Sequence, residues 1–422
     1  MDKSKKVATK RILFQVNYVN KGGSVMKERV VIVEGVRTPI GRYGGALKEI
    51  NSGFLGSHVI AELLKKTSLS PGKVDEVILG EVRQTTESSN VARVAAIRAG
   101  IPSEKPAFTV NRLCASGMQA IASGVQQIQS NQATIVVAGG TESMSCSPIY
   151  LRGSRFGGDK PYLVDSNLEA GQQPKEVYGE DMGMGITAEN VAEKYKISRE
   201  DQDAFAIESQ IKAAVAIEDG KFDDEIVPYE IKSRKGTIVF DKDEHPRPET
   251  TIEKLSQLKP VFKKDGSVTA GNACGRNDGA SAVLLMSESK ALELSLTPRV
   301  AVVDWVAVGV PPEIMGIGPV PAIQKLLEKT NLSIEEIELF EINEAFASQA
   351  LAVQRELNID SEKLNVNGGA IALGHPVGST GSRLVVTLMH ELQKRGGRYG
   401  IASLCVGGGQ GMAILIENLQ IQ

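Results

Sequence analysis

Ala133-Thr134-Ile135-Val136-Val137-Ala138 is apolar at nearly every position. A strand with one face in water alternates apolar and polar side chains. An unbroken run therefore reads as a strand covered on both faces, as in a sheet sandwiched between helices. Val30-Val31-Ile32-Val33 repeats the signal. Around these two runs, short β-branched stretches alternate with helical ones. Strands are expected near 29–34, 76–80, 107–110 and 134–139, with helices near 53–66, 88–98 and 114–128. The second half repeats the theme, with strands near 299–308, 337–341, 400–405 and 411–416 and helices near 319–328, 344–357 and 379–394. Two α/β units of similar size imply an internal duplication, although no residue-level repeat is visible. From about 147 to 270 the texture changes: charge, Pro and Gly rise, as in Asp241-Lys242-Asp243-Glu244-His245-Pro246-Arg247-Pro248. Polar-rich helices near 187–194 and 199–217 complete what reads as an insertion covering one face of the core.

The chain has 422 residues, which at about 150 residues per unit suggests three units. Two halves and an insertion account for them. With 41% apolar and 23% charged residues, the composition is that of an ordinary soluble globular protein. A formal charge of -3 excludes a strongly basic nucleic-acid binder and a largely disordered acidic chain. That average conceals a step. Residues 1–25 carry six basic side chains against Asp2, whereas the remaining 397 carry 42 basic and 50 acidic groups. The apolar run Ile12 to Val19 is broken by Gln15 and Asn17, which argues against a secretory signal. One Arg and two Ser make a poor organellar transit peptide. Lys21-Gly22-Gly23 can be encoded by a purine-rich ribosome-binding run just before Met26, so Met26 is read as the natural start and 1–25 as a non-core extension.

No window reads as a membrane span. Cys114, Cys146, Cys274 and Cys405 lie far apart with no C-x-x-C pair, too sparse for a disulfide framework or a zinc site. No metal is expected, and the chain is read as cytoplasmic with reduced thiols.

Candidate chemistry concentrates in a few places. Thr109-Val110 ends a strand, Asn111-Arg112-Leu113 turns, and Cys114-Ala115-Ser116-Gly117 opens a helix. A thiol at a helix N-terminus is favoured as thiolate by the dipole and the free N–H groups; a lone Cys is also commonly a small buried hydrophobe. His375 stands among the glycines of Asn367-Gly368-Gly369-Ala370 and Gly374-His375-Pro376-Val377-Gly378, with no acid or second His beside it. A loop built around a functional imidazole explains that setting better than a core His or a metal ligand. Cys405 ends a strand before Val406-Gly407-Gly408-Gly409, a turn resembling a backbone nest able to hold an oxyanion. Asn343 falls near a helix N-cap and Glu344 suits a first helical turn. Gly183-Met184-Gly185-Ile186-Thr187-Ala188 matches a loose dinucleotide-binding pattern, but no buried strand precedes it. His58 and His390, on expected helices, are read as structural.

Taken together the motifs resemble the thiolase family, over about Met26 to Ile421. They run in the family's order from Arg37-Thr38-Pro39-Ile40-Gly41 and the Cys114 motif through Gly139-Gly140-Thr141-Glu142-Ser143-Met144-Ser145 and Asn343-Glu344-Ala345-Phe346 to the His375 and Cys405 motifs. The resemblance implies a five-layer αβαβα fold of two duplicated halves with an inserted loop domain. Its expected divisions are 26–146, an insertion at 147–270, a return at 271–298, and a second half at 299–422. It implies Cys114 as nucleophile, His375 as its base, and Cys405 as a second acid/base. Oxyanions would be held by His375 with a water positioned by Asn343, and by the backbone N–H groups of Cys114 and Gly407.

The implied substrates are acetyl-CoA, acetoacetyl-CoA or a longer 3-ketoacyl-CoA, and CoA, with no tightly bound cofactor. CoA would lie near Arg247 and residue 274. The activity implied is acetyl-CoA C-acetyltransferase, with broader 3-ketoacyl-CoA thiolysis as the alternative, in a homotetramer without nucleic-acid or membrane partners. The sequence departs from the family at Cys274, where many members have Ser, and at Gly183-Met184-Gly185, where short-chain members have His-Met-Gly.

Overall fold

The computed structural model describes residues 28–157, 160–169, 172–178, 182–234 and 236–421. The expected extension at 1–25 lies outside them.

In the first half, β1 (Val30–Arg37), β2 (Glu76–Gly80), β3 (Ala107–Val110), β4 (Ile135–Ser143) and β5 (Asn277–Ser287) lie in the order β3-β2-β4-β5-β1. The first three are parallel, and β5 runs antiparallel to both β4 and β1. Its helices are α1 (Ser52–Thr67), α2 (Val91–Arg98) and α3 (Ser116–Gln129). The long segment between β4 and β5 contributes α4 (Met184–Lys194), α5 (Arg199–Glu218) and two β-hairpins.

The second half follows with β6 (Val300–Gly309), α6 (Pro319–Thr330), β7 (Leu339–Ile342), α7 (Ala347–Leu357), α8 (Val377–Arg395), β8 (Tyr399–Val406) and β9 (Gln410–Asn418). Its order β7-β8-β9-β6, with β7 and β8 parallel and the other pairs antiparallel, repeats β2-β4-β5-β1. Where β3 would have its counterpart, a single bridge joins Phe340 to Leu364. The duplication reaches single residues. A register shift falls between Ile32 and Glu34 in β1 and between Val302 and Asp304 in β6. The halves join through two antiparallel pairs, Val31 with Ala301 and Ile32 with Val300.

Side chains sort the sheet into five layers. Val136 and Ala138 point into a core shared with α3 and α8, which also receives Val302, Ala402 and Ile414 from the second half. Ile135 and Val137 point the other way, against α1 and α2. On the far side, α6 and α7 cover Ile401, Ala413 and Leu415. Both faces of each half-sheet are therefore dry, which is why these strands read as unbroken apolar runs. α8 is buried on every side from Gly378 to Leu392, as a helix at the centre of three inner layers must be.

The inserted segment is anchored by charge. Arg37, at the end of β1, bonds Glu225 at 2.5 Å and Asp243 at 2.7 Å, all three buried. Two carboxylates raise the guanidinium above its ordinary value against the cost of burial.

One strand of the core and the two hairpins of the inserted segment go beyond the sequence expectation, and the helices after Asn343 and Cys114 start later than expected. β5 was not anticipated as a strand, because Asn277-Asp278-Gly279-Ala280-Ser281 has little β-propensity. The helix after Asn343 starts only at Ala347, with Phe346 in the capping position, so Asn343 is not its N-cap and Glu344 is not in its first turn. The helix after Cys114 starts at Ser116.

α3 and α8 approach at their first turns. A Cβ on Gly117 would stand 2.6 Å from Ser382 Oγ and 2.8 Å from its backbone nitrogen. Gly117→Ala is expected to lower unfolding free energy by about 1–3 kcal/mol. A denaturation midpoint equal to that of the parent would contradict this close packing.

Candidate active site

The site forms where α3 and α8 begin. β3 ends at Val110, and Leu113 then takes a left-handed backbone conformation, φ 47°, that a branched side chain rarely adopts. Local bonds hold it there. Asn111 Oδ1 accepts the Leu113 N–H at 2.9 Å, and Ser116 Oγ accepts the Arg112 N–H at 2.9 Å while donating to Leu113 O at 2.6 Å. This turn presents Cys114 just ahead of the helix.

The thiol does not rest as a favoured thiolate, as its position in the sequence suggested. Burial pushes it above its ordinary value, with a smaller contribution from Glu142. The N–H of Gly407, its own N–H and the Arg83 charge oppose the shift and lose to desolvation. Gly407 nevertheless aims its N–H at Cys114 from the other half of the chain. It can do so because Gly408 and Gly409, at φ 77° and 85°, turn the chain sharply between β8 and β9.

His375 is buried and its pKa is lowered to about 3, first by desolvation and then by Arg383, so the ring is neutral. Its Nδ1 lies 2.7 Å from Thr380 Oγ1, which donates to Pro376 O at 2.9 Å. A hydroxyl has one hydrogen to give, so Thr380 accepts from Nδ1–H and the lone pair of the ring sits on Nε2. The His375 backbone N–H donates to Asn277 Oδ1 at 2.9 Å, and Asn277 in turn donates to Gly41 O.

Cys405, 1% exposed, packs with Ala188, Phe346 and the partly buried Met184 and Ala273. Its thiol is held well above the ordinary value by burial, then by Cys114 and Cys274. Cys274 is pushed up to about 12, first by burial and then by Cys114. Three sulfurs therefore share one electrostatic neighbourhood. The segment carrying Cys274 is pinned beside the Asn343 loop by its N–H to Ala345 O at 3.0 Å and by a bridge between Ala273 and Phe346. Asn343 is fully buried, its backbone N–H bonded to Ser403 O at 2.9 Å. Both polar atoms of its side chain lack a partner among the described residues, an arrangement whose cost a bound polar group would offset.

From this cluster a cleft of about 830 Å³ runs outward, the size of a site for a large ligand. Cys274 and Phe262 line its inner part; Arg247, Lys254 and His245 give it basic and polar character. Of the eight residues singled out in the sequence, Cys114, Cys274 and Cys405 bring their sulfurs together, Gly407 bonds Cys114, and Met184 packs with Cys405. Arg247 and Cys274 line the cleft, Asn343 precedes the Ala345 carbonyl that holds Cys274, and His375 stands just ahead of α8, whose first turn packs on that of α3. His245 was passed over, since nothing beside it in sequence marks it. Its ring fills the space that a Cβ on Gly275 would need. Thr380 was also missed, although its place five residues after His375, at the opening of a helix, carries the hint.

Two family models match, the thiolase N-terminal domain over residues 30–289 and the thiolase C-terminal domain over 296–418. The chain belongs to the thiolase family. This thiolase is 50% identical over 397 residues to a probable acetyl-CoA acyltransferase of Staphylococcus epidermidis, covering 93% of this chain and all of the relative. It superposes with a TM-score of 0.90 on the crystal structure of the Bacillus anthracis acetyl-CoA acetyltransferase, at 51% identity over 93% of this chain and 99% of that one. With human mitochondrial 3-ketoacyl-CoA thiolase in complex with CoA the TM-score is 0.88, at 46% identity over 93% and 98% of the two chains. This thiolase is an acyltransferase of the αβαβα type.

The raised thiol gives a direct expectation. Alkylation of Cys114 by iodoacetamide follows the thiolate fraction, so its rate continues to climb above about pH 8.5, the midpoint of an ordinary thiol. Peptide-resolved labelling measures it, and a rate already flat from about pH 6 would contradict the burial-dominated environment.

Proposed function

We propose that this thiolase is an acetyl-CoA C-acetyltransferase, condensing two acetyl-CoA to acetoacetyl-CoA and CoA and running the reverse thiolysis by a ping-pong route. One observation carries the reading. The sulfurs of Cys114, Cys274 and Cys405 share one neighbourhood, the Gly407 N–H is aimed at Cys114, and Cys274 also lines a cleft large enough for an acyl-CoA.

In the first half-reaction Cys114 Sγ attacks the thioester carbonyl as His375 Nε2 takes the thiol proton. The S–C bond to CoA breaks, and the proton passes from His375 to the leaving thiolate. A neutral imidazole is the form able to accept that proton, and the Thr380 bond leaves Nε2 free for it. The oxyanion of the acyl transfer is held by the N–H groups of Cys114 and Gly407. A single such donor contributes on the order of 3 kcal/mol.

In thiolysis Cys405, as a thiol, protonates the α-carbon of the departing acetyl-CoA. In synthesis the Cys405 thiol passes its proton to His375 once His375 has protonated the leaving CoA. The resulting thiolate removes the α-proton of the second acetyl-CoA, the carbanion displaces Cys114 from the acyl group as the C–C bond forms, and His375 returns its proton to Cys114. The enolate oxygen is met by His375 and by a water held on Asn343, whose buried amide has no partner among the described residues. Arg247 and Lys254 supply local positive charge for an anionic substrate on a chain of net negative charge. CoA thioesters are substrates here, and no tightly bound cofactor or metal is required.

Broader 3-ketoacyl-CoA thiolysis is the second reading, favoured by Gly183. Among the described residues nothing stands near the position its Cβ would take, immediately before Met184 of the Cys405 cluster. We further propose a cytoplasmic homotetramer built from tight dimers. Its support is the hairpin of Ile149–Arg152 and Tyr162–Asp165, which carries Ile149 and Leu163 at 64% and 71% exposure.

Thiolysis kcat/KM measured across 3-ketoacyl chain lengths, together with acetyl-CoA condensation, separates the two readings. A steep fall beyond four carbons is expected, and a flat profile would replace the first reading by the second. Cys114→Ser is expected to lower kcat by at least about 10³-fold; retained activity would end the nucleophile assignment.

A further inference from the structure

The mechanism leaves unused a buried acid that touches both catalytic loops. Glu142, near the end of β4, is 0% exposed and bonds three backbone amides. Oε2 accepts from Val82 N at 3.0 Å and Gly378 N at 2.9 Å; Oε1 accepts from Arg83 N at 3.0 Å. These amides belong to different parts of the fold. Val82 and Arg83 follow β2, and the preceding Glu81 N–H bonds Val110 O, at the end of the strand that leads to Cys114. Gly378 is in the first turn of α8, three residues beyond His375. Neither Cys114 nor His375 is bonded directly by this carboxylate.

We propose that Glu142 is a positioning residue, a carboxylate clamp that sets the Cys114 loop against the His375 loop across the boundary between the two halves. A carboxylate suits the task because it accepts without donating, so all three N–H groups can point at it. No neutral side chain of the same length meets this pattern. A glutamine in its place would turn one oxygen into an NH₂ that faces backbone donors. The inference rests on the nucleophile and base assignments above.

Several charged or titratable groups surround the clamp. Arg83 lies on the β2 loop and opposes protonation of Glu142, whose pKa burial raises to about 7. Glu81 lies behind it, bonded to Ser52, and Cys114 lies ahead. The Glu142 charge contributes to holding the Cys114 thiol up. This second link makes the clamp separable from simple structural support.

The test uses the full-length protein and two variants. Glu142→Gln keeps the shape and removes the charge; Glu142→Asp keeps the charge and shortens the reach. Both are expected to lose about 10- to 100-fold in thiolysis kcat, the scale for misplacing reacting groups by an ångström, with KM for the acyl-CoA within about threefold. Only Glu142→Gln is expected to shift the pH profile of Cys114 alkylation, and to shift it downward, since a negative neighbour is gone. Glu142→Gln with parental kcat, or with an unmoved alkylation profile and losses shared equally by kcat and KM, overturns the proposal. Should Glu142→Gln fail to fold, as read by its unfolding transition, Glu142→Asp decides alone: parental kcat overturns the clamp, and reduced kcat with parental KM and profile supports it. Alkylation reads the link to Cys114 whether or not the chain turns over. An inert parent chain would therefore count against the proposed function, and an unmoved profile against the clamp.

Discussion

The first turns of α3 and α8 meet backbone to backbone, and the rest of the active centre is arranged around that contact. Gly117, Gly140, Gly378 and Gly381 all lie where a methyl group would strike the opposing element. Ser281 fills the remaining space, its hydroxyl within bonding distance of Ser379 and Ser382. Larger residues would push the helices apart and carry the turn at Cys114 away from the loop at His375. Close packing of this kind leaves little room to relax, so small errors in it are transmitted to the groups it supports.

Burial then sets the chemical state of the site. Desolvation keeps Cys114, Cys274 and Cys405 as thiols and His375 as a neutral ring. Charge at this centre is thus small at rest and appears as bonds change. The backbone N–H of Gly407 is already in place for it, and fixed dipoles need no reorganisation when charge develops.

Much of this was legible in the sequence because it rests on local patterns. Val30–Val33 and Ala133–Ala138 announced strands dry on both faces, and the glycines around His375 announced a loop shaped by close approach. What escaped notice depends on contacts distant along the chain. The strand Asn277–Ser287 is made by pairing with β1 and β4 on either side, not by its own propensity. Asn343 looked like a helix cap but is held by Ser403 on the neighbouring strand. Cys114 looked like a dipole-stabilised thiolate, since sequence displays the helix that follows and hides the depth of burial. The duplication showed in the sequence only as two α/β units of similar size, with no repeat of residues between them. It survives as strand order and as matched irregularities in β1 and β6, because layer packing constrains geometry more tightly than side-chain identity.

Dividing the centre between halves also sets an order of events during synthesis. Cys114 leaves the ribosome early, but the sheet behind it lacks its central strand until β5 at Asn277–Ser287 has been made. His375, the Gly407 amide and the Cys405 thiol come later still. A chain that stops before His375 therefore holds Cys114 without the His375 ring, the Gly407 amide or the Cys405 thiol, and the full cluster exists only once residues up to Gly407 have been made.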